Sequence, residues 1–164
     1  TASAVEAELG AFLGSKDLIL DGGACEVGVE STIIDCTTQI PIILRPGAIT
    51  HAMIKDATGI EPDTTNKVDT KASGLLESHY APAAKVILDQ TPQAGDGFIA
   101  LSNIKTPQGV IRLAEPKNNV EYAKVLYQAL RSADAQQIKT VHAHLPTGDD
   151  IAQAIIDRLN KSAK

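Results

Sequence analysis

A chain of 164 residues is enough for one ordinary domain or two small ones, and 43% hydrophobic with 21% charged residues excludes a disordered composition. The net charge of −5 argues against a broad basic surface for nucleic acid, and the 3% aromatic content without Trp requires an aliphatic core. No apolar run reaches the length of a membrane span and no signal peptide is visible. Cys25 and Cys36 lack metal-ligand spacing, so both are expected as buried free thiols in a reducing compartment.

Residues 1–13 have helical periodicity, with Val5, Leu9, Phe12 and Leu13 on one face and Gly14 as the stop. Residues 17–21 (DLILD) read as a short strand entering Gly22-Gly23. Two apolar runs follow, residues 31–36 and 42–44, split by a few polar residues in the manner of a hairpin. With the loop centred on Thr38, antiparallel pairing sets Ser31 opposite Arg45, Thr32 opposite Leu44 and Ile34 opposite Ile42. Opposed residues lie about 4.5–5.5 Å apart. Small hydroxyls facing a guanidinium, with Pro46-Gly47 turning the chain away, are the parts of an anion site. The same residues also suit plain strand ends. Asp21 and Glu30 flank the hairpin and could hold a metal or orient Arg45, although a glutamate there is more often solvated. Thr50 is placed to cap a helix over residues 50–57, with Met53 and Ile54 inward and Gly59 ending it.

Residues 61–73 (EPDTTNKVDTKAS) hold almost no large apolar side chain and read as a linker. Residues 74–82 (GLLESHYAP) differ, because Leu75, Leu76 and Tyr80 can anchor on a surface and Pro82 biases Ala81 toward extended backbone. Such a strip, carrying His79 and Tyr80, can fold back over a site as a lid.

From residue 84 four short strands are expected, at residues 85–88, 97–101, 110–113 and 140–145. A helix over residues 119–133 sets Ala123, Leu126, Tyr127 and Leu130 on one face, with Asn118 and Glu121 resembling a capping box. A last helix, capped by Asp149, turns Ile151, Ile155, Ile156 and Leu159 inward, with Arg158, Lys161 and Lys164 toward its C-terminal end. Strands then helices make a small α/β layer. His142 and His144 share a strand face, but no third ligand is spaced to complete a metal site. Asp149-Asp150 suits a helix cap better than a magnesium site. No GxGxxG turn is present, so no dinucleotide is assigned.

The words DGG, GVEST, ILRPGAIT and SGLLESHYAP stand in this order over residues 21–82. Together they resemble the threonylcarbamoyl-AMP synthase family, the long YrdC-type proteins with an added Sua-type C-terminal domain. The resemblance runs over nearly the whole chain, more loosely after residue 84. It implies an α/β fold: residues 1–60 as the C-terminal part of a YrdC-like twisted mixed sheet, residues 61–83 as a linker carrying the HYAP lid motif, and residues 84–164 as a small Rossmann-like α/β domain. A complete doubly wound sheet conflicts with DQTPQAGD (residues 89–96), which is too short for a helical crossover of about a dozen residues.

The family reaction joins L-threonine, bicarbonate and ATP into threonylcarbamoyl-AMP and pyrophosphate, for threonylcarbamoyladenosine on tRNAs. The resemblance implies that Ser31 contacts L-threonine, that Arg45 contacts the ATP phosphates and that Tyr80 closes over the nucleotide. Thr32 and His79 are neighbouring candidates. It also implies Mg²⁺ with ATP, without naming a ligand, a cytoplasmic location, and tRNA-modifying partner proteins that take the product. The family's basic cluster, its SxN motif and the surface through which relatives bind RNA belong upstream of the matched words. The chain opens on Thr1 in a helix that lies inside the family's catalytic domain, so an incomplete segment without synthase activity of its own is expected. The other readings are a non-catalytic accessory or regulatory module of such an enzyme, or a carbamoyltransferase-type relative.

Overall fold

The computed structural model describes residues 1–65 and 82–163. Helix α1 (Ala2–Leu9) runs into a 3-10 turn at Gly10–Phe12. Its apolar face is bare, with Val5, Leu9, Phe12 and Leu13 all exposed. The expected strand at residues 17–21 does not form. Leu18 and Leu20 are 86% and 88% exposed, and a strand needs a neighbour to take its backbone hydrogen bonds. Cys25 and Cys36 are free but exposed, which corrects the expectation of burial: the backbone around both is irregular.

Strands β1 (Ile33–Asp35) and β2 (Ile42–Arg45) pair antiparallel. The register differs from the expected one: Ile34 pairs with Ile43 and Asp35 with Ile42, and a bulge then sets Ile33 opposite Arg45. The loop is centred between Thr38 and Gln39, which moves each partner by one residue, and the bulge shifts the pairing once more. Helix α2 (His51–Thr58) forms as its caps dictate. Thr50 accepts from the Met53 N–H at 3.3 Å, and Gly59 closes the helix at φ +70°. Ile54 is buried on its inner face, whereas Met53 stays exposed. Beyond it Asp63 lies along β2, accepting from the Ile43 N–H and donating to the Pro41 carbonyl, both at 2.8 Å.

The remaining strands, β3 (Lys85–Leu88), β4 (Gly97–Ile99), β5 (Ile111–Ala114) and β6 (Thr140–Ala143), form one sheet in the order β3-β6-β4-β5, parallel throughout. Residues 89–96 cross from β3 to β4 without a helix, passing over the intervening β6, where Gln90 and Asp96 contact His142. Helices α3 (Asn119–Ala135) and α4 (Ala152–Ser162) pack together with the sheet around Ile99, Tyr122, Leu126, Val141, Ile155 and Leu159. The Asn118 side chain accepts from the Glu121 N–H at 2.9 Å, but Glu121 closes on the Lys117 N–H instead of completing a capping box. At α4 the capping carboxylate belongs to Asp150, which accepts from the Ala152 N–H at 2.9 Å, and not to Asp149.

Strand alternation puts Ile87, His142, Phe98 and Arg112 in one row on the opposite face. Loops cover this row. His142 is held by the Gln90 carbonyl at 3.1 Å and Asp96 at 3.2 Å. Arg112 stacks on Phe98 and donates to the carbonyls of Ala100, Leu101, Ile104 and Ala114 and to the Thr106 hydroxyl. One guanidinium thus organises the helix-free crossover between β4 and β5. Arg112→Met is expected to lower stability by about 1–3 kcal/mol and to open the backbone around residues 100–106. Thermal melts with amide exchange over that loop check both.

Candidate functional site

Ser31 and Arg45 meet where the two strands end. Arg45 is buried, and its Nε and Nη2 donate to the Ser31 carbonyl at 3.0 and 2.9 Å, with Nη2 reaching the Ser31 hydroxyl at 3.3 Å. The two residues meet although Arg45 pairs with Ile33 and not with Ser31, because the Arg45 side chain reaches along to the strand end. The fork is used differently from the expectation, since it grips a backbone oxygen where an anion was foreseen. The Ser31 residue itself is exposed. The Thr32 hydroxyl donates to the Ile49 carbonyl at 2.6 Å, tying the strand to the turn after β2.

This closeness depends on Gly47. A Cβ there would sit 2.3 Å from the Thr32 nitrogen and 2.6 Å from the Glu30 oxygen, so only glycine lets the Arg45-Pro46-Gly47 turn lie against residues 30–32. Gly28 does the same on the other side: at φ +85° its Cα faces the α3 backbone, with a built Cβ 2.4 Å from the Ala123 oxygen. Val29 and Ala48 join the core made by the helices and the sheet.

Between these contacts lies an ion pair that crosses the chain. Arg158 of α4, 4% exposed, donates from Nε to Glu30 at 2.7 Å and from Nη1 to the Pro46 carbonyl at 2.8 Å. The Tyr127 hydroxyl of α3 donates to Glu30 at 2.8 Å. Glu30 is therefore neither a solvated edge residue nor a partner that orients Arg45. Burial alone would raise its pKa, but the Arg158 hydrogen bond, its own backbone N–H, the Arg158 charge and Tyr127 outweigh that and hold it below its usual value. Burial likewise opposes the Arg158 charge, and Glu30 and Asp157 more than restore it.

A separate cleft of about 860 Å³ runs between α2 and α4, lined by His51, Lys55, Glu61, Asp149, Gln153 and Asp157 among others. Pro46 and Gly47 reach it, but neither Ser31 nor Arg45 does. Asp21 accepts from the Gly23 N–H at 3.0 Å in an exposed turn. His144 is exposed past the end of β6. Among the described residues no three His, Cys, Asp or Glu side chains converge. Among them, too, no helix is long and apolar enough to cross a membrane. His79 and Tyr80 lie outside the described residues.

The family model described as "Threonylcarbamoyl-AMP synthase, C-terminal domain" matches residues 49–164. The chain belongs to this family. Threonylcarbamoyl-AMP synthases of Pyrococcus abyssi and Bacillus subtilis are 44% and 30% identical to it, over 93% and 88% of this chain and 51% and 48% of their own. The Schizosaccharomyces pombe synthase is 28% identical over 92% of this chain and 46% of its own. The crystal structure of P. abyssi Sua5 with L-threonine superposes at a TM-score of 0.70, with 28% identity, over 87% of this chain and 48% of that one. The chain thus spans about half the length of the curated relatives it matches. The α/β class expected from the sequence is the one observed.

Sequence reasoning missed Glu30 and Arg158 as partners, although a signal was available. Arg158 falls on the stripe of Ile151, Ile155, Leu159 and Ser162, the buried face of α4. An arginine on a buried stripe needs a carboxylate from elsewhere. The pH dependence follows from the lowered Glu30 pKa. Its stabilising contribution is fully present above the unfolded-state value of 4.5 and is lost as pH falls through the lower folded value. Glu30→Gln should therefore lower Tm at neutral pH, with the gap to the wild type closing as pH drops below that value. Calorimetric melts across the acid range check it.

Proposed function

We propose that this chain is part of an L-threonylcarbamoyladenylate synthase, which joins L-threonine, bicarbonate and ATP into threonylcarbamoyl-AMP and releases pyrophosphate. The observation that carries the reading is the meeting of Ser31 and Arg45, with their backbones locked by Gly47, in a chain of this family. The matched P. abyssi structure contains L-threonine. An exposed hydroxyl beside a buried guanidinium suits a zwitterionic amino acid next to a polyanion. Ser31 is assigned to L-threonine. Arg45 is assigned to the ATP phosphates, its charge held in place by the grip on the Ser31 carbonyl. Thr32, tied to Ile49, supports the turn and is a weaker candidate for direct contact.

Tyr80, with His79 beside it, is assigned to closing over the nucleotide. A second P. abyssi Sua5 structure, TM-score 0.68 and 25% identical, carries alanines in place of an adjacent His and Tyr, the same pair in the same order. In this reading the enzyme is a cytoplasmic nucleotidyltransferase. Its product passes to tRNA-modifying partners, and any RNA contact lies mainly outside this chain. Mg²⁺ would accompany ATP.

Catalysis of this kind rests on alignment and charge. The carboxylate of N-carboxylated threonine must be set against the α-phosphorus, and the leaving pyrophosphate must be neutralised. In the full-length protein, Arg45→Ala is expected to reduce ATP-dependent pyrophosphate release by about 10²-fold or more, and Ser31→Ala to raise KM for L-threonine with a smaller loss of kcat. Unchanged pyrophosphate release in Arg45→Ala would favour the accessory-module reading. Activity with a carbamoyl donor in place of threonine and bicarbonate would favour the carbamoyltransferase-type relative.

A further inference from the structure

We propose that Arg158 is the positioning residue through which the last helix sets the separation of the two strand ends that carry Ser31 and Arg45. The proposal rests on the synthase reading for what those strand ends do. Its geometric basis is independent of that reading.

Arg158 touches the sequence neighbours of both candidates. Nε binds the carboxylate of Glu30, next to Ser31, and Nη1 binds the carbonyl of Pro46, next to Arg45. Arg45 in turn holds the Ser31 carbonyl. The result is a closed ring: Glu30 to Ser31 by the chain, Ser31 to Arg45 by hydrogen bonds, Arg45 to Pro46 by the chain, and both ends to one guanidinium. A planar fork with fixed donor directions can hold two acceptors at a set spacing, which an ammonium on a flexible stem cannot do. Tyr127 fixes the second oxygen of Glu30, so that carboxylate cannot rotate to follow the strand. Asp157 accepts from Arg158 Nη1 at 2.7 Å and from Lys161 at 2.8 Å, bracing the guanidinium from its own helix.

A pair kept only for stability would be satisfied more cheaply. Arg158 Nη2 is buried with no hydrogen-bond partner among the described residues, and apolar packing of similar volume is often at least as stable as a buried ion pair. Holding the spacing of the two strand ends is a better account of a contact between residues 128 positions apart: neither strand end can shift without breaking a bond to α4.

The test uses the full-length protein, with Arg158→Met, Arg158→Lys, Glu30→Gln and the double variant Glu30→Gln/Arg158→Met. Melting temperature is recorded beside kcat and KM for L-threonine and for ATP. Displaced reacting groups can lower rates by about 10²-fold, so kcat/KM for L-threonine should fall by about 10- to 100-fold in Arg158→Met under conditions where the variant is folded. Arg158→Lys should recover part of the loss, and the double variant should be little worse than Arg158→Met, since both substitutions break one contact. Arg131→Met, on the exposed side of α3, serves as the control and should match the wild type. If Glu30→Gln and Arg158→Lys lower Tm but leave kcat and KM unchanged, the contact is a structural staple and the proposal falls. If Arg158→Met does not fold, those two variants decide the matter alone. A wild-type protein that releases no pyrophosphate would overturn the synthase reading. Amide exchange at Thr32, Ile33 and Gly47 then decides this one: faster exchange in Glu30→Gln upholds the positioning role, and unchanged exchange ends it.

Discussion

The structure depends on one constraint: two loops with no regular structure of their own must lie flat against each other and against a helix pair. Gly47 permits the first approach and Gly28 the second. Neither glycine supplies attraction. That comes from two arginines, Arg45 gripping Ser31 from within the hairpin and Arg158 gripping Glu30 and Pro46 from the far end of the chain. The hairpin is only three or four residues long on each strand, and a two-stranded ribbon of that length is marginal by itself. It is fixed because its open end, flanked by Val29 and Ala48, is clamped to the core of the helices and the second sheet. The position of the candidate site is therefore a property of the whole chain.

How far the sequence speaks can be judged element by element. Helix α2 was legible to within a residue, because Thr50 and Gly59 act on their own neighbours. The N-cap of α3 was equally plain in Asn118, and the four strands of the second sheet were found at nearly their true places. All of these are local signals. The hairpin register was not legible, since a bulge between Ile33 and Ile34 changes the partner of every residue beyond it, and no residue type announced it. Residues 17–21 carry a strand's composition, yet without a partner to pair with they remain an exposed stretch. Burial failed for a similar reason at Cys25, Cys36 and Met53.

The sheet shows a different kind of limit. Residues 89–96 were rightly seen as too short for a helical crossover. What the spacing could not show is that β6, the last strand in the chain, lies between β3 and β4 and makes the sheet parallel throughout. The face without helices is then covered by Arg112 and His142, each spending its polar atoms on loop groups. A parallel sheet must be shielded on both faces, and here polar side chains that organise loops replace the missing helix layer.

Arg158 joins the two halves of the problem. Placed near the end of the last helix, it has two physical explanations available from sequence: a cation favoured by the helix dipole, or a cation on a buried stripe in search of an anion. The choice between them depends on Glu30, which precedes it by 128 residues, so no local rule decides. Periodicity nevertheless weights the second explanation, because residues 151, 155, 158, 159 and 162 all fall on one buried face. A charge on such a face is costly unless it is paired, and its partner must come from another element. The same reasoning accounts for Glu30 standing next to Ser31. The carboxylate that neutralises the helix is carried by the strand end the helix must hold, so one ion pair both satisfies a buried charge and fixes the distance across the site.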